Sequence, residues 1–336
     1  MMLLPSNKSW ALFSPRKRPF FHLLAVLALA GCGQESAERS PSTEGDSVPL
    51  EEVRPLQVYV VNYPLKYFTE RIGGGEVDVV FPASGDVDPA SWFPSTETIA
   101  AFQETDLILL HGAGYERWVG RVSLPSSRLV DTSIAFSDRY IPLGGGTVHS
   151  HGPEGEHSHE ETAFTTWLDP TLAVEHARAI TDALTKARPE RKDAFRQSFE
   201  ALASDLGDLD QRLSKVFHAL GDEPLFFSHP VYQYLIQRYR LNGRSVHWEP
   251  NEVPDPGSWR KLEGQLAHHP ARYMLWEQAP LPEIGEKLAA LGLGSIVFDP
   301  CSNVPSEGDW LEVMHRNLGR LESALSVARG DESGAG

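Results

Sequence analysis

An α/β chain of two lobes, each a parallel sheet with flanking helices and the pair joined by one long rigid helix, is the architecture the sequence predicts. Three observations predict it. Short β-branched and apolar runs alternate with segments of helical spacing from Leu56 onward, the pattern of parallel pairing. A helical pattern then continues without a break from about Glu190 to Leu220. At about 1.5 Å per residue such a helix is longer than one small domain and has to connect two. A second strand and helix series begins after it, at Leu225.

Leu56 to Val61 (LQVYVV) reads as the first strand, ended by Asn62-Tyr63-Pro64, and Leu65 to Ile72 reads as a helix that stops at Gly73-Gly74-Gly75. Val77 to Phe81 is the second strand. Ser95 to Gln103 is a helix with Ser95 or Thr96 as its cap, and Asp106 to Leu110 is a third strand running into His111-Gly112-Ala113-Gly114. The triple glycines at 73–75 and 144–146 have neither Walker nor dinucleotide spacing and read as turns. Asp169-Pro170 opens a helix to about Ala187, Pro189 interrupts, and the long helix follows until Gly221 and Pro224 end it. In the second series, strands are expected at Leu225 to Ser228, near Tyr273 to Trp276 and near Ser295 to Phe298, with a closing helix from about Trp310 to Val327.

The first 31 residues read as an address rather than as fold. Arg16-Lys17-Arg18 precedes a short apolar run from Pro19 to Ala30, and Leu29-Ala30-Gly31-Cys32 resembles the bacterial lipobox. Cleavage ahead of Cys32 with lipid on its sulfur is the expectation, with an ordinary secretory signal as the alternative. Either one makes the protein extracytoplasmic, and the first makes the lipid its only hold on a membrane. Residues 32–55 are polar and rich in Ser, Glu, Gly and Pro, a disordered tether. The expected division is therefore 1–31 lipoprotein signal peptide, 32–55 tether, 56–189 N-terminal lobe, 190–221 linking helix and 222–330 C-terminal lobe. Without residues 1–31, which carry four of the 30 basic residues and none of the 46 acidic ones, the formal charge is 26 − 46 = −20. That balance argues against nucleic acid or anionic lipid as a partner and mildly favours cations. With Cys32 lipidated, Cys301 is a lone thiol.

Two groups of residues carry metal chemistry. His149, His151, His157 and His159 stand at near-alternate positions in a polar, Gly- and Pro-containing loop (147–162) with Glu154, Glu156, Glu160 and Glu161. Imidazoles so spaced can chelate a divalent cation in several registers, which suits capture and hand-over, and capture weakens once histidine protonates below about pH 6.5. A solvated loop with fortuitous histidines is the bland alternative. His229, Glu277 and Asp299 each follow an apolar strand, so three metal-ligand side chains can share one crevice beyond strand ends. Nitrogen plus carboxylate oxygen suits zinc or manganese. His268-His269, before Pro270, reads as an exposed turn without a role.

The order and content of Asn62-Tyr63-Pro64-Leu65, Asp88-Pro89 through Pro94, Asp106-Leu107-Ile108 with Gly112-Ala113-Gly114-Tyr115-Glu116, Trp167-Leu168-Asp169-Pro170, Ser228-His229 through Tyr234, Glu249-Pro250 through Pro254, and Val297-Phe298-Asp299-Pro300 resemble the zinc/manganese-type solute-binding proteins of ABC importers. The resemblance spans nearly the whole body, including the long helix and the His-rich loop. It implies a periplasmic-binding-protein-like fold, a monomer that carries Zn2+ (or Mn2+ or another divalent transition metal), and hand-over to an ABC permease. It also implies which residues hold the ion: His229 and Asp299 match two ligand positions, and Glu277 a glutamate common near the cleft. Two further positions, usually histidine, are Ala90 and Thr165. Asp86 or Asp88, the thiolate of Cys301 or the histidine loop are the candidate replacements; a buried, inert Cys301 is the simpler reading of that residue. The competing function is a degenerate relative that binds another small ligand or serves as an accessory lipoprotein. A metal-assisted hydrolase with Glu277 as base is disfavoured, since neither His-Glu-x-x-His nor Gly-x-Ser-x-Gly occurs; no enzyme is expected.

Overall fold

The computed structural model describes residues 54–83, 85, 87–143 and 162–333, with side chains through 326. The signal and tether, Cys32, Asp86 and the four loop histidines lie outside the described residues.

The first sheet is built from β1 (Leu56–Val60), β2 (Val77–Val80), β3 (Leu107–Leu110) and β4 (Leu129–Asp131), in the order β2-β1-β3-β4. All three pairings are parallel, with Val58 opposite both Val79 and Leu107. The second sheet repeats the plan with β5 (Leu225–Phe227), β6 (Gly243–Ser245), β7 (Tyr273–Trp276) and β8 (Gly294–Val297), in the order β6-β5-β7-β8. Its pairings are parallel too. Each sheet therefore reverses strand order between its first and third strand, the point at which α/β folds open a ligand crevice.

Local chemistry places the helices. Asn62 accepts from the Leu65 N–H at 3.0 Å and starts α1 (Tyr63–Gly73), which carries Pro64 in its first turn. Ser95 caps α2 (Thr96–Glu104), and Asp169 caps α3 (Pro170–Ala187) by accepting from Thr171 at 2.8 Å. The long helix α4 (Lys192–Leu220) has 29 residues, about 44 Å at helical rise. It buries Leu202, Leu206, Leu209, Leu213 and Phe217, a stripe at spacings of three and four. The C-terminal lobe adds α5 (Gln233–Tyr239), α6 (Pro256–Leu266), α7 (Pro282–Ala290) and α8 (Trp310–Ser333). Among the described residues no helix is long and apolar enough to cross a membrane.

One core runs through both halves. It joins Val58, Phe68 and Leu109 of the first to Phe227, Leu275 and Trp310 of the second. Trp310 packs edge-on to Phe68 at 5.2 Å. Polar pins reinforce it: Trp167 Nε1 donates to the Pro300 carbonyl at 2.7 Å, Tyr63 N to Ser302 at 3.0 Å and Tyr234 Oη to Ala163 at 3.0 Å.

Two sequence expectations need correction or completion. His269 is not in an exposed turn: it is 4 % exposed, its Nε2 lies 3.0 Å from the Leu225 carbonyl and its ring packs on Phe226. Only its neighbour His268 is exposed. Strands β4 and β6 and helices α5 to α7 are additions; the three-residue strands and the seven-residue α5 are too short to show a period.

Candidate metal centre

His229, Glu277 and Asp299 stand just past the C-terminal ends of β5, β7 and β8, three neighbouring strands. Parallel pairing at roughly 4.8 Å per strand puts β5 and β8 only about 10 Å apart, with Glu277 between them. Glu277 Oε1 lies 3.1 Å from His229 Nδ1. That contact is the main reason the imidazole holds its proton above the ordinary histidine range; burial opposes it, and the charges of Glu277, Glu249 and Asp88 add to it. With Nδ1 tied to a carboxylate, Nε2 is the nitrogen left for an ion, the arrangement that second-layer carboxylates impose on metal-binding histidines.

Nε2 faces residues that sequence reasoning did not single out. Glu249 Oε1 is 4.0 Å from it, and the His229 and His247 ring centroids are 5.9 Å apart at 80°. Both residues sit on the exposed loop after β6. The available signal was their spacing, His247-Trp248-Glu249, which projects both side chains to one side of an extended segment and the buried Trp248 to the other.

Asp299 is held by its backbone, its N–H donating to Asn317 Oδ1 at 3.0 Å and its carbonyl accepting from Asn317 Nδ2 at 2.7 Å. Its Oδ1 accepts the Cys301 N–H at 2.7 Å. Burial pushes its carboxyl up; the Cys301 N–H opposes this and the charge of Glu277 adds to it. A carboxylate in such surroundings gains from a nearby cation. Asp88 is exposed, with Oδ1 accepting the Ala90 N–H at 3.0 Å.

The other sequence candidates separate. Cys301 belongs to the apolar core, is 3 % exposed, and has its thiol pushed far up by burial, which disfavours the thiolate. Thr165, at a position where the resemblance leads one to expect histidine, is 4 % exposed and donates its hydroxyl to the Val231 carbonyl across the lobes. Ala90 offers no donor. Among the described residues no three of His, Cys, Asp or Glu are assembled closely enough to hold an ion as they stand.

Among the described residues the first lobe has two histidines, and both face inward. His111, at the end of β3, stacks on His176 of α3 at 4.5 Å, and both are fully buried. Thr132 Oγ1 donates to the Leu110 carbonyl, so it accepts from His176 Nδ1 at 2.7 Å. Thr166 Oγ1, 2.8 Å from both Nε2 atoms, then donates to His176 and accepts from His111. This assignment of hydrogens needs the His176 ring neutral, since its Nε2 accepts; the Nδ1 of His111 has no partner among the described residues. Burial lowers His111 to about 3 and His176 well below its ordinary range.

The fold, with polar residues past the ends of its parallel strands, is that of a two-lobed solute-binding protein. The chain belongs to the ZnuA family, described as zinc-uptake complex component A, periplasmic, whose profile matches residues 58–324. It is 26 % identical over 321 residues to the high-affinity zinc uptake system protein ZnuA of Bacillus subtilis (strain 168), covering 90 % of this chain and 95 % of that one. To the zinc-binding lipoprotein AdcA of Streptococcus pneumoniae it is 23 % identical over 278 residues, 80 % of this chain but 55 % of AdcA, so the chain spans about half the length of that relative. Its fold matches the metal-dependent lipoprotein YcdH from Bacillus subtilis with a TM-score of 0.69 at 21 % identity, over 80 % of this chain and 98 % of that one. Zn(II)-bound AdcA from Streptococcus pneumoniae matches with a TM-score of 0.69 at 20 % identity, over 80 % and 57 %.

Proposed function

We propose that this solute-binding protein captures a divalent transition metal, zinc foremost, outside the cytoplasm and delivers it to the permease of an ABC importer. In this reading His229 supplies Nε2, Asp299 and Glu249 supply oxygen, and Glu277 orients His229. The observation that carries it is the His229–Glu277 contact at 3.1 Å beside Asp299, on the strand ends of a chain in the zinc-uptake family. Asp88, across from them, adds charge and is available as a further oxygen donor. His149, His151, His157 and His159 act as a low-affinity collector, Cys32 carries the lipid that keeps the protein at the membrane, and the protein works as a monomer without turnover chemistry. The domain division at 31, 55, 189 and 221 belongs to the same reading.

A second reading, an accessory or differently loaded relative, is favoured by Ala90 and by the Thr165 hydroxyl, already committed to Val231. Calorimetric zinc titration of the chain with and without residues 149–161 separates the two. Capture in the cleft predicts one tight site in both forms and loss of weak sites in the shortened one. No zinc uptake by either form defeats the first reading.

A further inference from the structure

We infer that the metal enters this cleft as a complex with a small carboxylate chelator, whose anionic part occupies a pocket on the N-terminal lobe. The inference rests on the metal-binding reading above and names its substrate more closely. A cavity of about 410 Å³ lies where the first lobe lacks its donors, with Asp88 and Ala90 on one wall and Phe164, the neighbour of Thr165, on another. At about 30 Å³ per water-sized group it accepts roughly a dozen heavy atoms.

Its position ties it to the metal donors from two sides. Thr165 donates to the carbonyl of Val231, two residues past His229. Asn303, in the loop after Asp299, donates to the Val87 carbonyl at 2.9 Å, next to Asp88. The field of Asp88 also reaches His229. The pocket therefore lies on the part of the first lobe that is tied to the segments carrying His229 and Asp299, and Asp88 belongs both to its lining and to the surroundings of His229.

The lining states the ligand's chemistry. Arg117 and Arg121 both border the cavity in a chain of net charge −16, and both are exposed. Guanidinium groups pair with carboxylates in a planar, two-bonded manner. Trp92 and the buried Trp118, edge to face at 6.1 Å, supply an apolar wall against which a short carbon skeleton packs. Behind Phe164, the Tyr115 ring sits at 5.2 Å, with a buried hydroxyl that has no hydrogen-bond partner among the described residues. A free polyanion is repelled by an acidic protein. Bound to a divalent cation it loses most of that charge, while its oxygens complete a coordination shell that His229 and Asp299 leave short of four.

Equilibrium dialysis of the lipid-free mature chain with radiolabelled zinc, and with labelled citrate or L-histidine as the chelator probe, tests this. Citrate or histidine is expected to be retained one to one with protein in the presence of zinc, and at least tenfold less without it. Arg117→Glu with Arg121→Glu should lose the retained chelator by at least tenfold yet keep zinc added alone, whereas His229→Ala should lose both the chelator and the tightly held zinc, leaving only the weakly held zinc of the histidine loop. Zinc retained by the wild-type chain with neither probe co-retained overturns the chelate and leaves the metal-binding reading standing. Retention of no zinc under any of these conditions removes that reading, and the chelate with it.

Discussion

The two lobes share one strand plan and treat their polar strand ends in opposite ways. In the first, the end of β3 turns His111 into the core, where its Nε2 bonds Thr166, its ring stacks on His176, its Nδ1 has no hydrogen-bond partner among the described residues, and burial keeps it neutral. In the second, the equivalent end of β7 presents Glu277 with 28 % of its side chain exposed, in contact with a His229 that is 34 % exposed and inclined to charge. Similarly Asn62 after β1 is buried as a helix cap, whereas His229 after β5 reaches the gap. Backbone plan alone does not make a metal centre. What differs is whether the residue past the strand is sealed in the core, as His111 is, or stays partly exposed, as His229 and Glu277 are.

The largest effect should come from the second lobe. His229→Ala is expected to weaken zinc binding in the cleft by more than about 100-fold, since it removes the nitrogen donor outright; calorimetry on the form lacking residues 149–161 reads it without interference. Comparable loss on His111→Ala, with the fold intact by circular dichroism, would break the contrast between lobes. Next in size is a gain: Ala90→His returns an imidazole to the first lobe beside Asp88 and should tighten zinc binding by about tenfold or more. Glu277→Gln should cost roughly tenfold, the usual range for a carboxylate that orients a metal-binding histidine. Cys301→Ala should leave zinc affinity within about twofold, because its thiol belongs to the core, where burial disfavours the thiolate.

Acid sharpens the same contrast through stability. His111 and His176 have folded values below their unfolded value of about 6.5, so they destabilise the fold as pH falls from about 6.5 toward about 3 and contribute no loss above that window. The loss is on the order of a few kcal/mol. His229 works with the opposite sign: its raised value contributes stability at low pH that fades as pH rises past that value, but partial exposure keeps it small. Thermal melts between pH 7.5 and 4 should therefore fall steeply, and less steeply for His111→Phe. A slope unchanged by that substitution would place the acid sensitivity elsewhere.

Most of the frame was legible in the residues. Leu56–Val60, Leu107–Leu110 and Tyr273–Trp276 are apolar runs with clear stops, and Asp169-Pro170 announces α3 as a cap followed by a first-turn proline. The 29-residue α4 was legible because its stripe holds one period throughout. Less could be read of the site. His229 next to Glu277 follows from strand-end logic; the spacing of His247 and Glu249 puts both on one side of their segment, but their approach to His229 depends on how the loop after β6 folds back. The burial of His269 likewise depends on Phe226, 43 positions away. His111 was visible as a strand-end residue, yet its partner His176 lies on α3, and only tertiary packing stacks them.

Anomalous diffraction at the zinc edge from crystals of the zinc-loaded chain tests the asymmetry between lobes most directly. The expected result is one strong peak about 2.1 Å from His229 Nε2 with an Asp299 or Glu249 oxygen at a similar distance, and no imidazole from the first lobe. A peak on His111 and His176, or a crystal whose zinc lies away from His229, would contradict it.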